Sequence, residues 1–176
     1  TVDDRTIQAP GGSSVLAAAI APKLVGEINE TCQAGGLKPK RFVLRPFAAA
    51  SLLCRQDDRP ASRVRLMVDL LSDEADLTVL IDRKVVFMRT VRLYATPGAA
   101  EESSELVAEI RRTMAAAQNQ LGGQRVESLV LCSAGGEHST LQEYLSEKLD
   151  LPVGLFDPFE GLTLSREVKS HPPDAP

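Results

Sequence analysis

The 176-residue chain has no tryptophan, two tyrosines, two histidines, three cysteines and no excess of positive charge. Each scarcity removes a class of function. With 20 basic against 24 acidic residues and a net charge of -4, there is no broad cationic field to attract a phosphate backbone or an anionic lipid surface. Nucleic acid is therefore not an expected partner. No apolar run approaches the roughly 18 to 20 residues needed to cross a bilayer, so direct membrane insertion is not expected either. The stretch from Val15 to Ala21 is short and follows Asp3 and Asp4 instead of a basic flank, unlike a secretory signal. Cys32, Cys54 and Cys132 are odd in number and widely spaced, which excludes complete internal pairing and matches no zinc ligand pattern. A reducing cytoplasm is the compartment these features favour.

What is present is a moderately apolar chain, 43% hydrophobic, long enough for one sizeable core or for a domain with part of another. It begins with Thr1, which permits it to be a piece of a longer protein. Residues 1 to 13 are polar with Pro10-Gly11-Gly12 near their end, and Ser170 to Pro176 carries three prolines, so flexible tails are expected at 1–13 and 166–176. Between them, 14 to 21 reads as a strand, 22 to 34 as a helix with Pro22 in its first turn, and Lys40 to Leu44 as a second strand after the Gly35-Gly36 stop. Pro46 opens a short helix, and the polar cluster 56 to 60 is a candidate boundary. The expected domains are thus 14–57, part of a small α+β domain with a connecting helix, and 62–165.

In the second domain three strand-like runs come first: 64 to 71, 76 to 81 and 84 to 94. Only Asp82 and Arg83 separate the last two, a link too short for a parallel crossover, so they form a hairpin. Leu106, Ile110, Met114, Ala117 and Leu121 then mark an amphipathic helix over about 101 to 121, stopped by Gly122-Gly123. The uniformly apolar run Ser128 to Cys132 reads as an interior strand, followed by a helix over 139 to 149, capped by Ser139 or Thr140, and a strand over 153 to 156. Three antiparallel strands followed by crossover units predict an α/β, ribonuclease H-like mixed sheet.

Local wording adds to this topology. The segments Glu109 to Gln120, Val126 to Leu131, Leu141 to Leu149 and Leu151-Pro152-Val153 through Asp157-Pro158, with Ala34 to Pro39 and Arg45 to Ala49 upstream, resemble the second half of PilM-type type IV pilus assembly proteins, bacterial members of the actin-like ATPase superfamily. The resemblance runs over about residues 14 to 162. It implies three nucleotide contacts, of which the first, a glycine hairpin, would lie in a preceding half. The second would be an Asp-x-Gly motif at the end of the first meander strand, its Asp holding a magnesium-bound water. Asp69 takes the Asp position, but Leu71 stands where glycine is needed and Asp73-Glu74 adds like charge. The third, a glycine turn reaching adenosine, is retained in part as Ser133 to Glu137, with Gly135 and Gly136 as vestigial contacts.

The resemblance thus implies a degenerate ATPase acting as a non-catalytic scaffold, with no cofactor in this piece and ATP with magnesium in a longer protein as the alternative. It also implies a protein partner: PilM-like proteins bind the amino-terminal tail of an inner-membrane pilus protein between the small domain and the main body, to which residues 14 to 57 would contribute. That would hold the chain at the inner face of the cytoplasmic membrane. Strand edges normally covered by a missing half could also pair between copies into a homo-oligomer. A ribonuclease H-like metal enzyme is the remaining rival. Its candidate ligands Asp69, Asp73, Glu74, Asp76, Asp82 and Asp157 do not obviously converge, and Asp73, Glu74, Asp76 and Asp82 read as solvated turn residues. For covalent catalysis His138 is one plausible base, since His171 lies in the tail, and Cys132 reads as a small buried hydrophobe. Arg89 matches an arginine common in the PilM-like hairpin, and strand alternation alone reads it as solvent-facing.

Overall fold

The strands Val64–Leu70 (β3), Glu74–Ile81 (β4), Lys84–Arg92 (β5), Ser128–Cys132 (β6) and Val153–Phe156 (β7) form one sheet in the order β5-β4-β3-β6-β7 in a computed structural model of the chain. The structure describes residues 4–8, 14–56, 63–71, 73–94, 100–132 and 138–160. β3, β4 and β5 are a meander of antiparallel neighbours, whereas β6 runs parallel to β3 and β7 parallel to β6. This is the ribonuclease H-like arrangement expected from the short Asp82-Arg83 link and the two later crossovers. Both turn residues have positive φ, 48° and 67°, which matches the right-handed twist of the flanking strands.

Among the described residues three helices cover the sheet. Ala100–Gln120 (α3) and Ser139–Leu149 (α4) pack on one face, where Leu106, Ile110, Leu145, Leu66, Leu77 and Leu131 are buried together. Arg45–Gln56 (α2) covers part of the other face, with Ala50 and Leu53 against Met67, Leu80, Val130 and Phe156. Strands between two helical layers lose access to water on both faces, which is why β3 and β4 are buried along nearly their whole length. Gly122 and Gly123 stop α3 with φ of 65° and 88°, and the Gly123 N–H donates to Gln118 O at 2.9 Å.

The chain divides into two compact units, Thr1–Arg45 and Pro46–Pro176. In the first, Asp4–Gln8 (β1) and Ser14–Ala18 (β2) form an antiparallel hairpin followed by the helix Pro22–Ala34 (α1). Two expectations are corrected here. Asp4–Gln8, expected in a flexible tail, is a strand because its backbone has a ladder partner in β2, with Ile7 opposite Val15. Lys40 to Leu44 is not a strand: no described segment pairs with it, and Phe42 and Val43 stay exposed. α1 buries no residue and leaves Leu24 and Ile28 exposed on its apolar stripe. The expected tail at 166–176 and the polar cluster 57–60 lie outside the described residues.

Candidate functional site

Strand registers bring the chemistry-bearing side chains together. Asp69 is opposite Asp76 on one side and Cys132 on the other, Asp76 is opposite Thr90, and Cys132 is opposite Phe156. Directly opposed residues share a face, so Thr90, Asp76, Asp69, Cys132 and Phe156 form one line across the sheet, on the face that α2 partly covers. Asp76, read from sequence as a solvated turn residue, is instead fully buried within β4, and its Oδ1 accepts a hydrogen bond from Thr90 Oγ1 at 2.6 Å. The reason is that β4 starts at Glu74, two residues earlier than its apolar run suggests.

Burial, and secondarily the Asp69 charge, pushes the Cys132 thiol up to about 12. It therefore stays protonated at neutral pH and is a poor nucleophile. His138 is the N-cap residue of α4, a place expected for Ser139 or Thr140, and makes no side-chain cap bond; its carbonyl accepts from the Gln142 N–H at 2.8 Å.

Asp69 is the penultimate residue of β3, directly before the turn into β4. Within that turn the Leu71 N–H donates to Glu74 O at 2.8 Å, and the Leu93 N–H donates to Asp73 O at 2.8 Å. Arg92 approaches Asp73 at 3.9 Å and Glu74 at 3.8 Å. The Leu71 amide, which a phosphate contact at this turn would use, is thus occupied by the turn's own hydrogen bond, and two carboxylates flank the approach. Gly135 and Gly136 lie outside the described residues. The other acidic residues are dispersed: Asp82 pairs with Arg63 at 3.7 Å, and Asp157 Oδ1 accepts from the Phe159 N–H at 2.8 Å. Among the described residues no group of three His, Cys, Asp or Glu side chains is placed to hold a metal ion.

Arg89 is exposed, as strand alternation predicts, and its guanidinium also reaches the neighbouring helix. It faces α3 and meets Glu109 at 3.0 Å, because β4 pairs Arg89 with Leu77 on the buried α3 side of the sheet. Sequence reasoning missed this pair and also missed a groove between α2 and the β4–β5 turn, lined by Arg55, Arg83 and Lys84. A signal for the groove was available in Arg83, which occupies a tight-turn position that usually selects glycine.

No family model matches the chain, and no curated protein matches it. Among solved structures the chain is similar to members of the actin-like ATPase fold class. The PilM-PilN type IV pilus biogenesis complex aligns with a TM-score of 0.69 and 21% identity over 95% of this chain and 59% of that one. A protein of actin-like ATPase fold and unknown function from Bacteroides thetaiotaomicron aligns with a TM-score of 0.49 and 12% identity over 89% of this chain and 53% of that one. The ROK hexokinase from Thermus thermophilus aligns with a TM-score of 0.44 and 16% identity over 53% of this chain and 35% of that one. The resemblance to PilM-type proteins is borne out as a fold, and this chain spans 59% of the length of its counterpart in the PilM-PilN complex. No helix among the described residues is long and apolar enough to cross a membrane.

Proposed function

We propose that the chain is a non-catalytic scaffold or adaptor of a type IV pilus, secretion or competence assembly, engaging a protein partner at the inner face of the cytoplasmic membrane. The observation that carries this reading is the turn after Asp69. Leucine at position 71 places a side chain where a phosphate would need glycine, and the Leu71 amide is committed to Glu74 O. The fold shared with the PilM-PilN complex supports a protein partner of the PilN kind.

Calorimetry with ATP and magnesium on this chain and on any longer natural form tests the reading. No binding at millimolar nucleotide by either, with capture of an inner-membrane pilus protein's amino-terminal tail preserved in Asp69→Asn, is the expected result. Binding of ATP by the longer form, with capture lost in a folded Asp69→Asn variant, would instead identify a nucleotide-controlled switch.

A further inference from the structure

The groove between α2 and the β4–β5 turn has a volume of about 450 Å³ and lies wholly in the second unit. Phe47, Ala50 and Val85 give it an apolar lining, and Arg55, Arg83 and Lys84 place three cations on its walls. Among the described residues none of the three cations has an ion-pair partner. Asp82, the acidic neighbour of Arg83 in the turn, pairs with Arg63 instead. Three cations around one recess, without ion-pair partners among the described residues, contrast with the chain's net charge of -4.

The turn is also held in place. Cys54 Sγ on α2 donates to Arg83 O at 3.5 Å, and Val85 packs with Leu53 and Leu80 beneath it. Arg83 has φ of 67°, a left-handed conformation in which glycine would be relaxed and an arginine is strained. An arginine at that position, pinned beside a groove with two more cations, is explained if its guanidinium is used.

We propose that this groove docks a short acidic segment of a partner protein, whose carboxylates meet Arg55, Arg83 and Lys84 while an adjacent apolar side chain seats against Phe47 and Val85. Charge complementarity selects the acidic chemistry. The concave apolar lining selects a peptide over a bilayer, because lipid headgroups would leave it unfilled. The inference uses only α2 and the hairpin and is independent of the pilus assignment.

The test is an immobilised array of short peptides in which Glu is combined with Leu or Phe in every order, beside a matched array with Gln for each Glu. The full chain is expected to retain acidic members about tenfold more than their Gln counterparts, with the difference shrinking in high salt. Arg83→Gly should abolish most of that preference while leaving the melting temperature unchanged or raised, since glycine relaxes the turn. Arg55→Gln should weaken retention without disturbing the turn. Equal retention on both arrays, or a preference unchanged in Arg83→Gly and Arg55→Gln, overturns the proposal. So does cosedimentation with phosphatidylserine vesicles without retention on the acidic array, which would make the cations a membrane-facing surface.

Discussion

Arg89 Nη2 on β5 lies 3.0 Å from Glu109 Oε2 on α3, and this contact joins the outer strand of the meander to the long helix. The Glu109 side chain is 12% exposed and also receives Arg112 from the next turn of its own helix. One carboxylate thus serves two guanidinium groups at the rim of the larger core.

Removing that carboxylate leaves both arginines facing a largely buried gap. Glu109→Ala is expected to cost about 1 to 2 kcal/mol, discounted from a fully buried pair because Arg89 is partly solvated. Arg112→Ala should cost less than about 0.5 kcal/mol, its side chain being 67% exposed. Urea unfolding of the two variants, with a double-mutant cycle through Arg89, measures the difference.

Cys132 links stability to alkaline pH. Its folded thiol is raised from 9.0 to about 12, so the unfolded chain loses this proton first as pH rises. The contribution is fully present below about pH 9 and is lost progressively toward pH 12. Denaturation at pH 8 and at pH 11 should give a steeper decline for the native chain than for Cys132→Ala, whatever the absolute stability of the variant.

Leu53 anchors α2 to the sheet and is 1% exposed. Leu53→Ala is expected to lower stability by about 2 to 4 kcal/mol through lost burial and a residual cavity. Leu24→Ala, on the exposed stripe of α1, should stay within about 0.5 kcal/mol. Chemical denaturation followed by circular dichroism distinguishes them.

Thr78 is fully buried, and its Oγ1 has no hydrogen-bond partner among the described residues. Burying an unsatisfied hydroxyl costs stability, whereas valine has nearly the same shape. Thr78→Val is therefore expected to stabilise by about 1 kcal/mol, read as a rise in the denaturation midpoint with an unchanged slope.

The sheet order was legible because local signals carry it: a two-residue link enforces the β4–β5 hairpin, and helices between apolar runs enforce the parallel crossovers. The hairpin of the first unit was not, because β1 is a short polar segment whose strand character comes from its partner β2 and not from alternation. The same dependence on partners hid the site. Asp69 could be found by its place at a strand end, but the burial of Asp76 and its bond from Thr90 depend on a register across three strands. Arg89 is exposed as alternation suggested, but its ion pair with Glu109 was hidden, because only the packing of α3 against β5 brings the two together.

The parallel pairing of β3 with β6, in which Arg65 meets Ser128, joins segments separated by the hairpin, α3 and their connections. Closing so long a loop costs chain entropy before any contact compensates, whereas β3, β4 and β5 are neighbours in sequence. Amide protection during refolding should therefore appear first in the meander, with β6 and β7 protected later. Pulse-labelled hydrogen exchange reads this order, and simultaneous protection of β3 and β6 would mean that the crossover helices organise the sheet from the start. With the meander assembling first, the β6-facing edge of β3 stays unpaired for a time, so the greatest aggregation risk for this chain falls in its synthesis and refolding and not in its native lifetime.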